Sequence, residues 1–195
     1  MKVLSLAEMH VKHGNIDIEN PAIGDRAYVE KAVFFGGIDK AALNETDLAT
    51  ELAGVKIPSD GVVMRVDIAN TIRDRDNEIL PVAVLQKFAN DINREPFSLN
   101  IFHDRGQIVG LVLPKASVVP NGTGSVLKGY VFIYNTAALP TATTTGKGIS
   151  LITSIADGAI KDVSIEFRGY TQYVSPESGN GRGVWQYEID PERPE

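Results

Sequence analysis

A mostly β, α+β fold follows from three observations. From Val62 onward, apolar residues alternate at period two in short runs broken by Gly, Pro, Asn and Asp, which is the pattern of strands joined by turns. Two segments, after Pro81 and at 149 to 157, switch to helical spacing. The chain has 195 residues, 43% hydrophobic and 23% charged, enough for one sizeable core. The expected architecture is six or more strands with two or three helices packed on one side.

Residues 1 to 60 read as an N-terminal extension with few clear signals. Val3, Leu4, Leu6 and Met9 make a short apolar start, and His13-Gly14-Asn15 and Asn20-Pro21 are turns. Ala27 to Phe35 reads as a strand with Val29, Val33 and Phe35 inward, broken by Gly36-Gly37. Asp39 to Ala53 reads as a helix carrying Ala41, Leu43, Leu48 and Leu52, with Asn44 and Asp47 as capping candidates. Pro58-Ser-Asp-Gly61 is a turn and the best internal boundary.

The patterned region, 61 to 190, starts with a strand from Val62 to Ala69 and a charged loop through Asp74, Arg75 and Asp76. Pro81 stands where a helix tolerates proline, Val84, Leu85, Phe88 and Ile92 have helical spacing, and Pro96 stops the run. Phe97 to His103 and Ile108 to Leu113 form an expected hairpin. Pro120-Asn-Gly-Thr-Gly124 is a turn into a strand from Val126 to Tyr134. The Thr-rich stretch 137 to 147 reads as a loop. A short helix with Ile152, Ile155 and Ala156 on its apolar face ends at Gly158, where a left-handed residue stops helices. From Asp162 the period becomes two. Val163, Ile165 and Phe167 take one face, and Asp162, Ser164, Glu166 and Arg168 the other. Tyr170 to Val174, a Gly-rich tip at 178 to 183 and a strand from Val184 to Asp190 follow. Residues 191 to 195 form a polar tail.

Composition excludes several chemistries. The chain contains no cysteine, which removes disulfides, thiol nucleophiles and Cys-based metal sites. A formal net charge of −6 with no Lys/Arg cluster argues against nucleic acid as the main partner. No run approaches the ~18 apolar residues of a membrane span, so a soluble protein is expected. His10 and His13 have a ligand-like spacing but no third ligand at useful distance. Lys147 follows Gly146 without the upstream glycine or the Ser/Thr of a phosphate-binding loop. No metal or cofactor is expected.

What remains is a serine and a histidine. Ser164 sits on the polar face of a strand, where a serine is ordinarily a solvent-facing residue. His103 closes another strand, where a histidine is ordinarily a packed residue with a satisfied ring. Together they have the makings of a nucleophile and its base, and a nucleophilic serine also needs a group to orient the base. Candidates for that third member are Glu188 and Asp190, both on the last strand, and Asp104 beside the base.

Three motifs resemble, in order, the prohead maturation proteases of tailed bacteriophages, which share a fold with the herpesvirus assemblins. They are Asp74-Arg-Asp76-Asn-Glu78-Ile before a helix, Ile101-Phe-His103-Asp104 followed by Ile108-Val-Gly110-Leu-Val, and Gly158-Ala-Ile-Lys-Asp-Val-Ser164-Ile-Glu-Phe-Arg168. The resemblance spans about residues 61 to 190. It implies a barrel-like, mostly antiparallel sheet surrounded by a few helices, with Ser164 as nucleophile and His103 as base. It implies an acidic or histidine third member, for which Glu188 is the choice, and Arg168 as an oxyanion or substrate contact.

The implied activity is a serine endopeptidase of capsid maturation inside the phage procapsid. It would cut the scaffold protein, the major capsid protein and itself, and it would form a homodimer or higher homo-oligomer. Glu166 departs from the family, which usually has glycine after the Ser-Ile pair, and the family commonly continues through a further strand. These departures carry the alternative expectation of a catalytically inactive, protease-fold structural or scaffold protein of the phage head.

Overall fold

The computed structural model describes residues 26–39, 45–73, 78–101, 106–139, 149–160, 162–175 and 183–188. Eleven strands and three helices lie among them. They are β1 (Arg26–Asp39), α1 (Glu45–Glu51), β2 (Gly61–Asn70), β3 (Glu78–Ile79), α2 (Val82–Arg94), β4 (Phe97–Asn100) and β5 (Ile108–Val112). Then come β6 (Ser117–Asn121), β7 (Gly124–Tyr134), β8 (Ala138–Leu139), β9 (Ile149–Ser150), α3 (Leu151–Ala156), β10 (Asp162–Ser175) and β11 (Val184–Glu188).

The fold is mixed α+β with a mostly antiparallel sheet, as the alternation predicts. Nine strands hydrogen-bond in the order β3-β11-β10-β1-β2-β7-β5-β4, with β6 also on β7; β8 and β9 make a separate pair. The β3–β11 pairing is parallel and the others are antiparallel. Among the described residues the ladder is an open path from β3 to β4.

The centre of the sheet is the long β2–β7 ladder, from Gly61↔Tyr134 to Asn70↔Val126. β7 is apolar on both faces because both faces are covered. Val131 and Ile133 join one core with Val66 and Ile68 of β2, Leu85 and Ile92 of α2, and Leu151 and Ile155 of α3. Phe132, between them, turns to a second core with Leu52 and Leu113, against which Leu48 and Val63 pack. Helices therefore lie on both sides: α2 and α3 on one, α1 on the other. The expectation of all helices on one side missed this. An apolar run such as Val131-Phe-Ile shows that a strand is buried, but not which helix covers which face.

Local signals explain most boundaries. α2 starts directly after Pro81 and ends before Glu95, as the flanking prolines require. Asn93 fixes its end to the sheet: its side-chain amide donates to Ala116 O at 2.9 Å, and its Oδ1 accepts from Ala116 N at 2.7 Å. Gly36-Gly37 does not end β1. The strand runs on to Asp39, its register against β10 shifts between Val33 and Gly36, and Ile38 and Asp39 then pair with β2. The shift is a bulge at Phe34 and Phe35, and the two glycines that follow it pair with Val163 and Asp162 of β10. β1 thus lies between β10 and β2, and the sheet runs across the turn at 58 to 61. The helix expected from Asp39 to Ala53 is seen only as α1, Glu45–Glu51; Asp39 instead ends β1, paired with Arg65, and 40–44 lie outside the described residues, as do the N-terminal stretch 1–25 and the polar tail.

The hairpin β4–β5 forms as predicted, with Leu99 opposite Gly110 and Gly110 opposite Ile133. Gly110 has a steric cause. A Cβ there would lie 1.9 Å from the carbonyl oxygen of Phe132, on the backbone of β7. The backbone of a central, doubly buried strand cannot retreat far. Gly110→Ala is expected to lower stability by about 1–3 kcal/mol, read from the midpoint of urea unfolding at unchanged slope. An unchanged midpoint would mean that β5 can move away from β7 freely.

Candidate functional site

Ser164 is positioned by the segment before it. Ser150 Oγ caps α3 by accepting from Thr153 N at 3.3 Å, and Ser154 Oγ donates to Ser150 O at 3.0 Å. At the other end Gly158 takes a φ of 76°, the left-handed conformation expected of it. Gly158 N donates to Ile155 O at 3.0 Å, and the N–H groups of Ala159 and Ile160 both donate to Ser154 O. The buried face of α3 is Leu151, Ser154 and Ile155, with Ile152 packed at its margin. A helix capped at both ends and anchored in the main core thus leads into β10, which carries Ser164.

On β10, Ser164 occupies a special register position. Ile165 pairs with Val33 and Val163 pairs with Gly36, so Ser164 stands opposite two residues, Phe34 and Phe35. Arg168 pairs with Glu30 of β1, and Glu166 with Ala32. At ~3.3 Å per residue, Glu166 lies about 7 Å and Arg168 about 13 Å along the strand from Ser164.

Glu188 is on β11 as predicted, half-buried, but its register partner on β10 is Tyr170. Tyr170 is six positions from Ser164, about 20 Å along the strand. A triad has one imidazole ring between two hydrogen bonds of about 3 Å each. The structure therefore does not bring Glu188 to Ser164. Face and sequence order pointed to it, but only the register between β10 and β11 reveals how far along the strand it falls.

His103, Asp104 and Asp190 lie outside the described residues, as do His10 and His13. The flanks of the His103 segment are described. Ile101 is buried in the main core, and its N–H donates to Gln107 O at 3.2 Å. The preceding residue, Asn100, holds a buried Oδ1 with no hydrogen-bond partner among the described residues. Among the described residues no group of three His, Asp or Glu side chains is placed to hold a metal ion. No helix among them is long and apolar enough to cross a membrane.

No family model, curated protein or solved structure matches the chain.

Two ionisable arrangements emerge that periodicity alone did not reveal. In the first, Arg65 of β2 donates from Nη2 to both oxygens of Glu51, at 2.6 and 2.7 Å. Tyr130 of β7 donates its hydroxyl to the same carboxylate. This clasp holds the end of α1 against the β2–β7 ladder beside Leu48 and Leu52. The hydrogen bond from Arg65, then that from Tyr130, hold the Glu51 carboxyl below its ordinary range. The Glu51 side chain remains 34% exposed, so solvent screens the pair. Burial, then the bond to Glu51, push the Tyr130 hydroxyl up. In the second arrangement, Glu78 is only 1% exposed and accepts from the buried Tyr187 hydroxyl at 2.5 Å. It ties β3 to β11, where Glu78 pairs with Trp185. The signal for it was a carboxylate placed directly before the apolar pair Ile79-Leu80, which read as the end of a charged loop. Both act as structural ties between elements of the sheet and its helices among the described residues.

Two outcomes test these ties. A lowered carboxylate pKa stabilises the fold above the unfolded value, about 4.3, and that contribution is lost as pH falls through the lowered folded value. A raised tyrosine pKa stabilises below about 10 and is lost as pH rises through the raised value. Glu51→Gln should therefore flatten the acid limb of the stability–pH curve, with the largest loss of amide-exchange protection in α1. An unaltered acid limb would remove the clasp from the account. Tyr187→Phe leaves Glu78 with one donor fewer in a dry site and should cost about 1–3 kcal/mol in chemical denaturation; a neutral effect would mean that the bond adds nothing net.

Proposed function

We propose that this chain is a serine endopeptidase of phage capsid maturation, with Ser164 as nucleophile and His103 as base. The observation that carries the reading is the position of Ser164. It follows a helix stopped by left-handed Gly158 and stands opposite the two-residue bulge of β1. Bulges recur next to active sites because they re-aim a side chain and interrupt the ladder locally. The ordered motifs around His103, Gly110 and Ser164 support the same reading, and the close approach of Gly110 to β7 gives one of them a physical basis.

The barrel-like, assemblin-type form of the sheet belongs to this proposal. It is supported by the core: Tyr187 from β11 and Ile101 from just beyond β4 contribute to one buried cluster, although the two strands lie near opposite ends of the ladder. A curled sheet would wrap both strands around the one core that α2 and α3 also fill.

In the proposed reaction His103 takes the Ser164 proton as the hydroxyl oxygen attacks a peptide carbonyl, and returns it to the leaving amine. The substrates would be scaffold and capsid-protein segments, and the chain itself, within the procapsid. Glu188 pairs with Tyr170, six positions along β10 from Ser164, so the chemistry proposed here rests on Ser164 and His103. No metal or cofactor enters the scheme.

The distance from Ser164 to Glu188 also favours a second reading. In it, the chain keeps the protease architecture as an inactive structural or scaffold protein of the phage head, with Glu166 in place of the family's glycine. A fluorophosphonate probe separates the two. The enzyme reading expects labelling of the wild type, none for Ser164→Ala, and a loss on the order of 10²-fold or more for His103→Ala. Glu188→Gln should label at a rate close to wild type. No labelling of the folded wild type, or labelling that survives Ser164→Ala, would overturn the enzyme reading.

A further inference from the structure

We draw no further inference here: the strongest candidate, the buried and unpartnered Asn100 Oδ1 at the end of β4, adjoins residues outside the described part of the structure, and nothing shows which donor would meet it.

Discussion

The double burial of β7 is the constraint on which the rest of the architecture depends. Val131 and Ile133 press into one core and Phe132 into another, so the strand has helices above and below and neighbours on both edges. Its backbone is then nearly immobile, and it dictates terms to those neighbours. Gly110 must lack a side chain to lie against it. β2 must follow it over most of its length, apart from the register shift between Asp67 and Ala69. Tyr130 and Tyr134 border the second core, and Phe132 meets Tyr134 edge to face with ring centroids 5.3 Å apart.

The two faces are secured differently. The main core is large and draws on β2, β7, β11, α2 and α3. The second is small, and the described helix that covers it, α1, has seven residues. A helix that short has little stability of its own. Leu48, and Leu52 just beyond its end, supply its apolar contact, and the Glu51 carboxylate supplies direction by engaging a side chain from each of two strands. The ionic tie is partly exposed, so its value lies more in fixing where α1 sits than in raw stability.

Much of this was legible in the sequence. The prolines at 81 and 96 bracket α2, Gly158 ends α3 in the left-handed region, and the period-two runs become β2, β5, β7, β10 and β11. These features are local, determined by backbone sterics and by which face meets the core. What the sequence could not convey is register and partnership. Glu188 carries the right chemistry on a polar position, but its distance from Ser164 depends on how β11 is aligned with β10. Gly36-Gly37 looked like a strand end, but the two glycines follow a bulge at Phe34 and Phe35 and pair with β10, and β2 then pairs with β1 from Ile38. Glu51, Arg65 and Tyr130 are scattered along the chain and meet only through the fold.

The pairing of β1 with β10 carries a kinetic consequence. Val33 and Ile165 are direct partners although 132 positions separate them in the chain. Closing so long a loop is slow compared with forming the β4–β5 or β6–β7 hairpins, whose partners are near in sequence. On the ribosome, local hairpins can form while β1 still waits for a strand that has not been made. The strand bearing Ser164 therefore joins the sheet after the local hairpins, and whatever geometry surrounds that residue is assembled only once the chain through β10 has been synthesised.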